Sequence, residues 1–256
     1  MTSQLPDSPQ RPSARGSRLI GRVLPMAVRL WLQTQVDQIE GLTFAIDGTD
    51  RQLLSGHIPA VSVAAQQAVY RGIYLSQVAL AADEVRINLG QVIRGKPLRL
   101  LQAFPVAGEV WLTEQDLNKS LQSALLSEGI AAFWQALLTM PTVSQELAEC
   151  YGRAADRLPA ARSQVTIGQG RLTLSLQSAA AVDDYIAVLQ AAVETQAERC
   201  LVLRQPQWLS HPQAGSGCPS QALEGFQWDL GSQTRLHRLS VEAGGLRCQG
   251  EVMVNP

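Results

Sequence analysis

Charge is scarce in this chain. Only 17% of its 256 residues are charged, the formal net charge is −1 and the mean hydropathy is close to zero. With 46% hydrophobic residues, much apolar surface has to be covered by protein, lipid or a partner. The missing basic excess removes the long-range attraction that dedicated nucleic-acid binders carry. Cysteine is also sparse. Cys150, Cys200, Cys218 and Cys248 form no C-x-x-C pair, which disfavours a zinc ribbon. Two readings stay open for them: reduced, partly buried thiols of a cytoplasmic protein, or a disulfide such as Cys200 with Cys218. No stretch approaches the roughly 20 apolar residues of a membrane span. Residues 1–16 are rich in Ser, Pro, Gln and Arg and hold no apolar core of signal-peptide length. The expected location is cytoplasmic, with peripheral contact to a membrane within reach.

Catalytic groupings are missing as well. His57, His211 and His237 stand alone, without a second ligand at metal-binding spacing. No G-x-S-x-G elbow occurs, and Ser216 sits in a flexible Gly-Ser-Gly. Gly90-Gln-Val-Ile-Arg-Gly95-Lys96-Pro97 is one residue short of a phosphate-binding loop, with proline where the Mg²⁺-holding hydroxyl belongs. Neither a cofactor nor a metal nor an enzymatic activity is therefore expected.

What is present is a pattern. Apolar-x-apolar, four turn-prone residues, then apolar-x-apolar-polar occurs at 78–88, 165–175 and 239–249. Each copy reads as an amphipathic β-hairpin. Arg86 and Arg247 fall at the same position of the first and third copies, which suggests two related halves. Residues 1–17 read as a disordered tail and 18–256 as one domain. Its parts are an amphipathic helix over 18–40, a first β half over 42–112, a helical block over 114–158 and a second β half over 164–256. Pro25 predicts a kink or restart in the first helix. Arg18, Arg22, Arg29 and Trp31 give that helix an interfacial composition, although a helix packed on the sheet with its arginines in water fits the same spacing. Arg94, Lys96 and Arg99 form a second basic cluster, available for lipid phosphates or simply a solvated turn. Thr113-Glu-Gln-Asp116 is a capping-box start, followed by an apolar stripe through Leu117, Leu121, Leu125, Phe133 and Leu137.

Ile46-Asp-Gly, Leu53-Leu-Ser-Gly56-His-Ile58, Tyr70-Arg-Gly72-Ile-Tyr-Leu75 and Val85-Arg-Ile-Asn-Leu together resemble the LmeA-like phospholipid-binding proteins of actinobacteria and cyanobacteria. Gly95-Lys96-Pro97-Leu98-Arg-Leu-Leu, Leu112-Thr-Glu-x-Asp116-Leu-Asn118-x-Ser120-Leu121 and Leu246-Arg-Cys248-x-Gly250 are similar to the cyanobacterial branch. The resemblance implies an α+β fold of the tubular lipid-binding type: a long curved antiparallel sheet of repeated hairpins wrapped around a long helix. It also favours strands over a helix for 184–200, where the residues alone allow both. The implied ligand is phospholipid or another acyl-chain molecule. The expected acyl-binding residues are Leu117, Leu121, Leu125, Phe133, Leu137, Ile87 and Leu174, with Arg18, Arg22, Arg29, Trp31, Arg94 and Lys96 on headgroups. The alternative is a structural module that docks a protein partner through its apolar face.

Overall fold

Alternation of apolar and polar residues, broken by glycine-bearing turns, makes this chain a set of antiparallel ladders. The structure, a computed structural model, describes residues 14–151, 161–168, 170–178, 184–231 and 234–256, with side chains from residue 23 onward except that of Thr234. The first elements are α1 (Ala14–Gln35), β1 (Gln38–Glu40), β2 (Thr43–Asp47), α2 (Asp50–Leu54), β3 (His57–Ala65), β4 (Gln67–Tyr70) and β5 (Ile73–Leu75). Then come β6 (Gln77–Arg86), α3 (Leu89–Val92), β7 (Phe104–Thr113), α4 (Glu114–Ser120), α5 (Ala124–Leu138) and α6 (Pro141–Tyr151). The chain ends with β8 (Ala161–Gly168), β9 (Arg171–Ser178), β10 (Tyr185–Gln196), β11 (Cys200–Trp208), β12 (Cys218–Pro219), β13 (Gln227–Asp229), β14 (Thr234–Glu242) and β15 (Gly245–Val254).

The α+β class and the antiparallel pairing are as expected; the wrapping is not. A first sheet runs in the order β14-β15-β7-β6-β3-β2, a second in the order β12-β11-β10-β9-β8 with β13 beside β11, and a small one in the order β1-β4-β5. The first sheet ends in the edge strands β2 and β14, which do not pair with each other, so it is no closed barrel. The expected long helix, with its apolar stripe from Leu117 to Leu137, is two helices. Its break falls at 121–123, where the Ser123 hydroxyl accepts from Leu126 N–H at 3.2 Å and starts α5. Gly129 lies inside α5 without breaking it. Helix α1 likewise runs through Pro25 instead of restarting there, and it begins at Ala14, inside the expected tail. The rest of that tail, up to residue 13, lies outside the described residues.

Two of the three sequence patterns are hairpins. β8 and β9 pair up to Gly168 opposite Arg171, and β14 and β15 up to Glu242 opposite Gly245. The first pattern is instead one continuous strand, β6, paired along its length with β3 from Ala65–Val78 to His57–Arg86. Its Ala-Ala-Asp-Glu centre has no glycine to fold back on, and a two-residue hairpin turn needs positive φ at one or both central positions. Only Glu84 takes a positive φ, +56°. Arg86 thus faces His57, whereas Arg247 faces Trp111, so the shared sequence position does not mark equivalent places in two halves.

Two apolar cores result. Leu24 and Val28 of α1, Leu53 of α2 and Leu89 and Val92 of α3 close over Ile58, Ala82, Val85 and Ile87 at one end of the first sheet. Trp134 and Leu137 of α5 and Val143 and Leu147 of α6 close over Leu176, Ala187, Leu189 and Trp208 of the second sheet. The 184–200 segment that sequence left ambiguous is the β10–β11 hairpin.

Candidate functional site

Two contacts join the sheets: β14 meets the β10–β11 turn, where Leu236 N–H donates to the Glu198 carbonyl at 2.6 Å, and α4 bridges from the first sheet to β8. Thr113 caps α4: its hydroxyl accepts from Asp116 N–H, while the Asp116 carboxylate accepts from Thr113 N–H at 2.9 Å and from the Thr113 hydroxyl at 2.7 Å. Asp116 also accepts from the Ser76 hydroxyl at the start of β6. Burial pushes the Asp116 carboxyl up, but the hydrogen bonds from Ser76 and Thr113 outweigh it and hold the group below its ordinary value. Ser120, fully buried, accepts from Tyr74 N–H at 2.8 Å. On the other side Glu114 accepts from Ile167 N–H at 2.8 Å, and Asn118 bonds Val165 through both halves of its amide. Every polar residue of the Thr113–Ser120 motif except Gln115 and Lys119 thereby fixes one sheet or the helix start. Asn118-x-Ser120 is a structural pair in which neither side chain is free.

A ligand-sized space lies across the first sheet. An open depression of about 740 Å³ is lined by side chains and backbone of β2, β3, β6, β7, β14 and β15. Its floor is two cross-strand rows on one face of the sheet, Thr43–Ala64–Ala79–Glu109–Gln249 and Ala45–Ser62–Ala81–Ala107, each residue opposite the next; Phe44, Val63, Leu80, Gly108 and Gly250 between them contribute backbone, because alternate strand positions face the other way. The side chains on that face are mostly short: Ala45, Ser62, Ala64, Ala79, Ala81 and Ala107. On the opposite face two glycines are closely covered. A Cβ on Gly108 would stand 2.6 Å from Leu80 Cδ2, and one on Gly250 would stand 2.3 Å from the Arg235 carbonyl oxygen. The lining is mostly apolar, with polar groups from Glu109, Gln249 and His237. Glu109 accepts from Arg247 and from Gln249 Nε2 at 2.8 Å, and these bonds lower its pKa. Arg247 also lies over the Trp111 ring, 5.2 Å from its centroid. The His237 ring pairs with Glu198 at 3.1 Å.

None of the residues expected on acyl chains lines this depression. Ile87 is buried in the first core, and Phe133, Leu137 and Leu174 belong to the second. Leu125 is exposed on α5, and Leu117 and Leu121 are half-buried on and just after α4. The space between α5 and the second sheet is filled, with Leu137 at 0% and Trp134 at 1% exposure. Of the headgroup residues, Arg29, Arg94 and Lys96 are exposed. Trp31 packs with Leu32 against the first core, which is the packed placement that the helix spacing also allowed. Arg18 and Arg22 lie in α1 with side chains outside the described residues. The phosphate-loop look-alike is α3 followed by a turn at Gly95, and after it, within the expected first β half, Leu100 makes a single bridge with Ile87. Sequence reasoning missed the depression because its signal is weak: small residues at alternate positions of four strands. It also missed α2, although Thr49-x-x-Gln52 is a complete capping box.

Among the described residues no group of three His, Cys, Asp or Glu could hold a metal ion, and no helix is long and apolar enough to cross a membrane. The model of the LmeA-like phospholipid-binding family matches residues 15–251. The chain belongs to this LmeA-like family. No curated protein and no solved structure matches it.

Proposed function

We propose that this LmeA-like chain binds phospholipid without catalysis, holding acyl chains in the depression of the first sheet while it associates peripherally with a membrane. The observation that carries the reading is the volume and lining of the depression in a chain of a phospholipid-binding family. About 740 Å³ falls within the roughly 300–1,000 Å³ usual for small-molecule sites. Each methylene taken from water contributes about 0.8 kcal/mol, so an acyl chain needs no polar recognition to be held. Glu109, Gln249 and His237 then stand where a headgroup or glycerol leaves the trough. The depression replaces the sheet–helix space as the proposed acyl site.

The test is organic extraction of the purified chain followed by lipid mass spectrometry. Stoichiometric phospholipid is expected from the natural sequence, and less from Ala81→Leu, whose side chain enters the depression between Ser62 and Ala107. A folded, lipid-free natural chain that takes up no lipid from vesicles ends the proposal. The filled core beneath α5 and α6 favours a second reading, in which the chain is a scaffold for a protein partner. A partner that co-purifies stoichiometrically with a lipid-free chain supports it.

A further inference from the structure

Charge is distributed unevenly. Residues 14–36 and 85–108 carry eight of the chain's 21 Lys and Arg and none of its 22 Asp and Glu. Folding brings these two segments to the same end of the molecule, because Leu24 and Val28 share a core with Leu89, Val92, Leu98 and Leu100. Among the described residues Arg29, Arg94, Lys96 and Arg99 are exposed and none has a carboxylate within ion-pair distance. On α2, Asp50 and Arg51 offset each other.

The same end is also greasy. Of the nine large apolar side chains exposed among the described residues, seven lie on elements that bound the first core. Met26 is 74% and Leu30 63% exposed. At 100° per residue they stand on the side of α1 opposite Leu24 and Val28, so they do not serve the core. Leu54 on α2, Ile93 beside α3 and Leu101 are exposed too.

The 94–101 loop is held in place rather than slack. The Asn88 amide donates to the Pro97 carbonyl at 3.0 Å and accepts from Arg99 N–H at 2.8 Å, and Leu101 N–H donates to the Arg86 carbonyl at 2.9 Å. Leu98 and Leu100 point inward as anchors, which turns Arg99 and Leu101 outward. Cations alternating with protruding apolar side chains on a fixed frame match one kind of partner, a surface with negative charge above hydrocarbon.

We propose that the end formed by α1, α2, α3 and the 94–101 loop docks on an anionic lipid bilayer. Met26, Leu30, Ile93 and Leu101 enter the acyl boundary while Arg29, Arg94, Lys96 and Arg99 meet the phosphates. The proposal rests on the membrane half of the reading above, and not on where a bound lipid lies. Trp31, turned to the core, takes no part.

Flotation of the full chain with phosphatidylglycerol–phosphatidylcholine vesicles, against phosphatidylcholine alone, tests this. Binding to the anionic vesicles is expected and weakens with added salt. Arg94→Glu with Lys96→Glu lowers it by about tenfold or more, and Met26→Ser with Leu30→Ser lowers it without changing the circular dichroism spectrum. Arg162→Glu, on β8, changes it little. Lipid co-purifying with these variants stays at the natural level, so loss of docking is distinguishable from loss of a ligand. Equal binding to neutral vesicles, or full binding by both double variants, overturns the proposal. So does a dimer in sedimentation that the Met26→Ser, Leu30→Ser pair converts to monomer while neither form floats, since the face would then cover a second copy.

Discussion

The Asn118 side chain pairs with Val165 as a neighbouring strand would: Oδ1 accepts from the Val165 N–H at 2.9 Å and Nδ2 donates to its carbonyl at 2.7 Å. β8 is the edge of the second sheet, and an edge strand presents backbone groups that need a partner. Glu114 extends the cover two residues along, to Ile167. Helix α4 thus supplies with side chains what a further strand would supply with backbone, and it does so from the helix that also holds β5 through Ser120.

Asn118→Ala is therefore expected to cost roughly 1–3 kcal/mol, the penalty for leaving part-buried backbone groups unpaired. Asn118→Asp retains an acceptor and loses the donor, so it should fall between. Thermal unfolding monitored by circular dichroism measures both. An alanine variant that melts with the natural chain would show that α4 does not join the sheets energetically.

Acid should weaken the fold through two carboxylates. Burial raises the pKa of both Asp116 and Glu146. In Asp116 the bonds from Ser76 and Thr113 prevail, and in Glu146 those from Ser220, Ala222 N–H at 3.0 Å and Trp208 Nε1 at 3.1 Å, so both end below their ordinary values. A carboxylate whose folded pKa lies below its unfolded one binds protons first in the unfolded chain. Its contribution is complete above the ordinary carboxylate range, about pH 4, and disappears as pH falls through the folded value. The urea midpoint is expected to hold steady from neutrality down to that range and then drop. Asp116→Asn should be less stable at neutral pH and drop less steeply in acid. Parallel curves for the two chains would remove Asp116 from the cause.

Leu137→Ala and Ala81→Leu should separate stability from ligand binding. Leu137 is at 0% exposure in the second core, so truncation costs about 2–5 kcal/mol and leaves the lipid content of the folded fraction unchanged. Ala81 is exposed on the face of the sheet that floors the depression, so the larger effect of Ala81→Leu is on lipid content. Mass spectrometry of extracts, normalised to folded protein, reads both. Lipid lost with Leu137→Ala and kept with Ala81→Leu would move the site to the second core.

Periodicity made the strands, the amphipathic helix and the Thr113 cap legible, because each is written in residues close together. The Ala81–Glu84 segment misled, since four polar or small residues look like a loop whether or not the backbone turns. It took the pairing with β3, from a distant part of the sequence, to keep β6 straight. Ile87 and Leu137 show the limit on the site. Their spacing says that they face inward, and they do, but spacing cannot say whether the space they face is already occupied by Leu100 or Trp134. The depression depends instead on where side chains are small, as at Ala81 and Ala107, whose adjacency appears only once β6 and β7 are paired.

The thiols should react in an order set by burial. Cys150 is pushed up to about 12 by burial first, then by its hydrogen bond with Cys218 and the charges of Glu146 and Glu149. Cys248 is pushed up to about 11 by burial alone. Since the thiolate is the reacting species, both should resist alkylation near pH 8, while exposed Cys218 reacts first. Iodoacetamide labelling of the native chain with site-resolved mass spectrometry gives the order. Alkylation of Cys218 should then disturb α6, because Glu146 and Cys150, one helical turn apart, both lie against the 218–222 segment. The expected sequel is faster labelling of Cys150 once Cys218 is blocked; early labelling of Cys150 or Cys248 in the untouched chain would contradict the packing of α6 or β15.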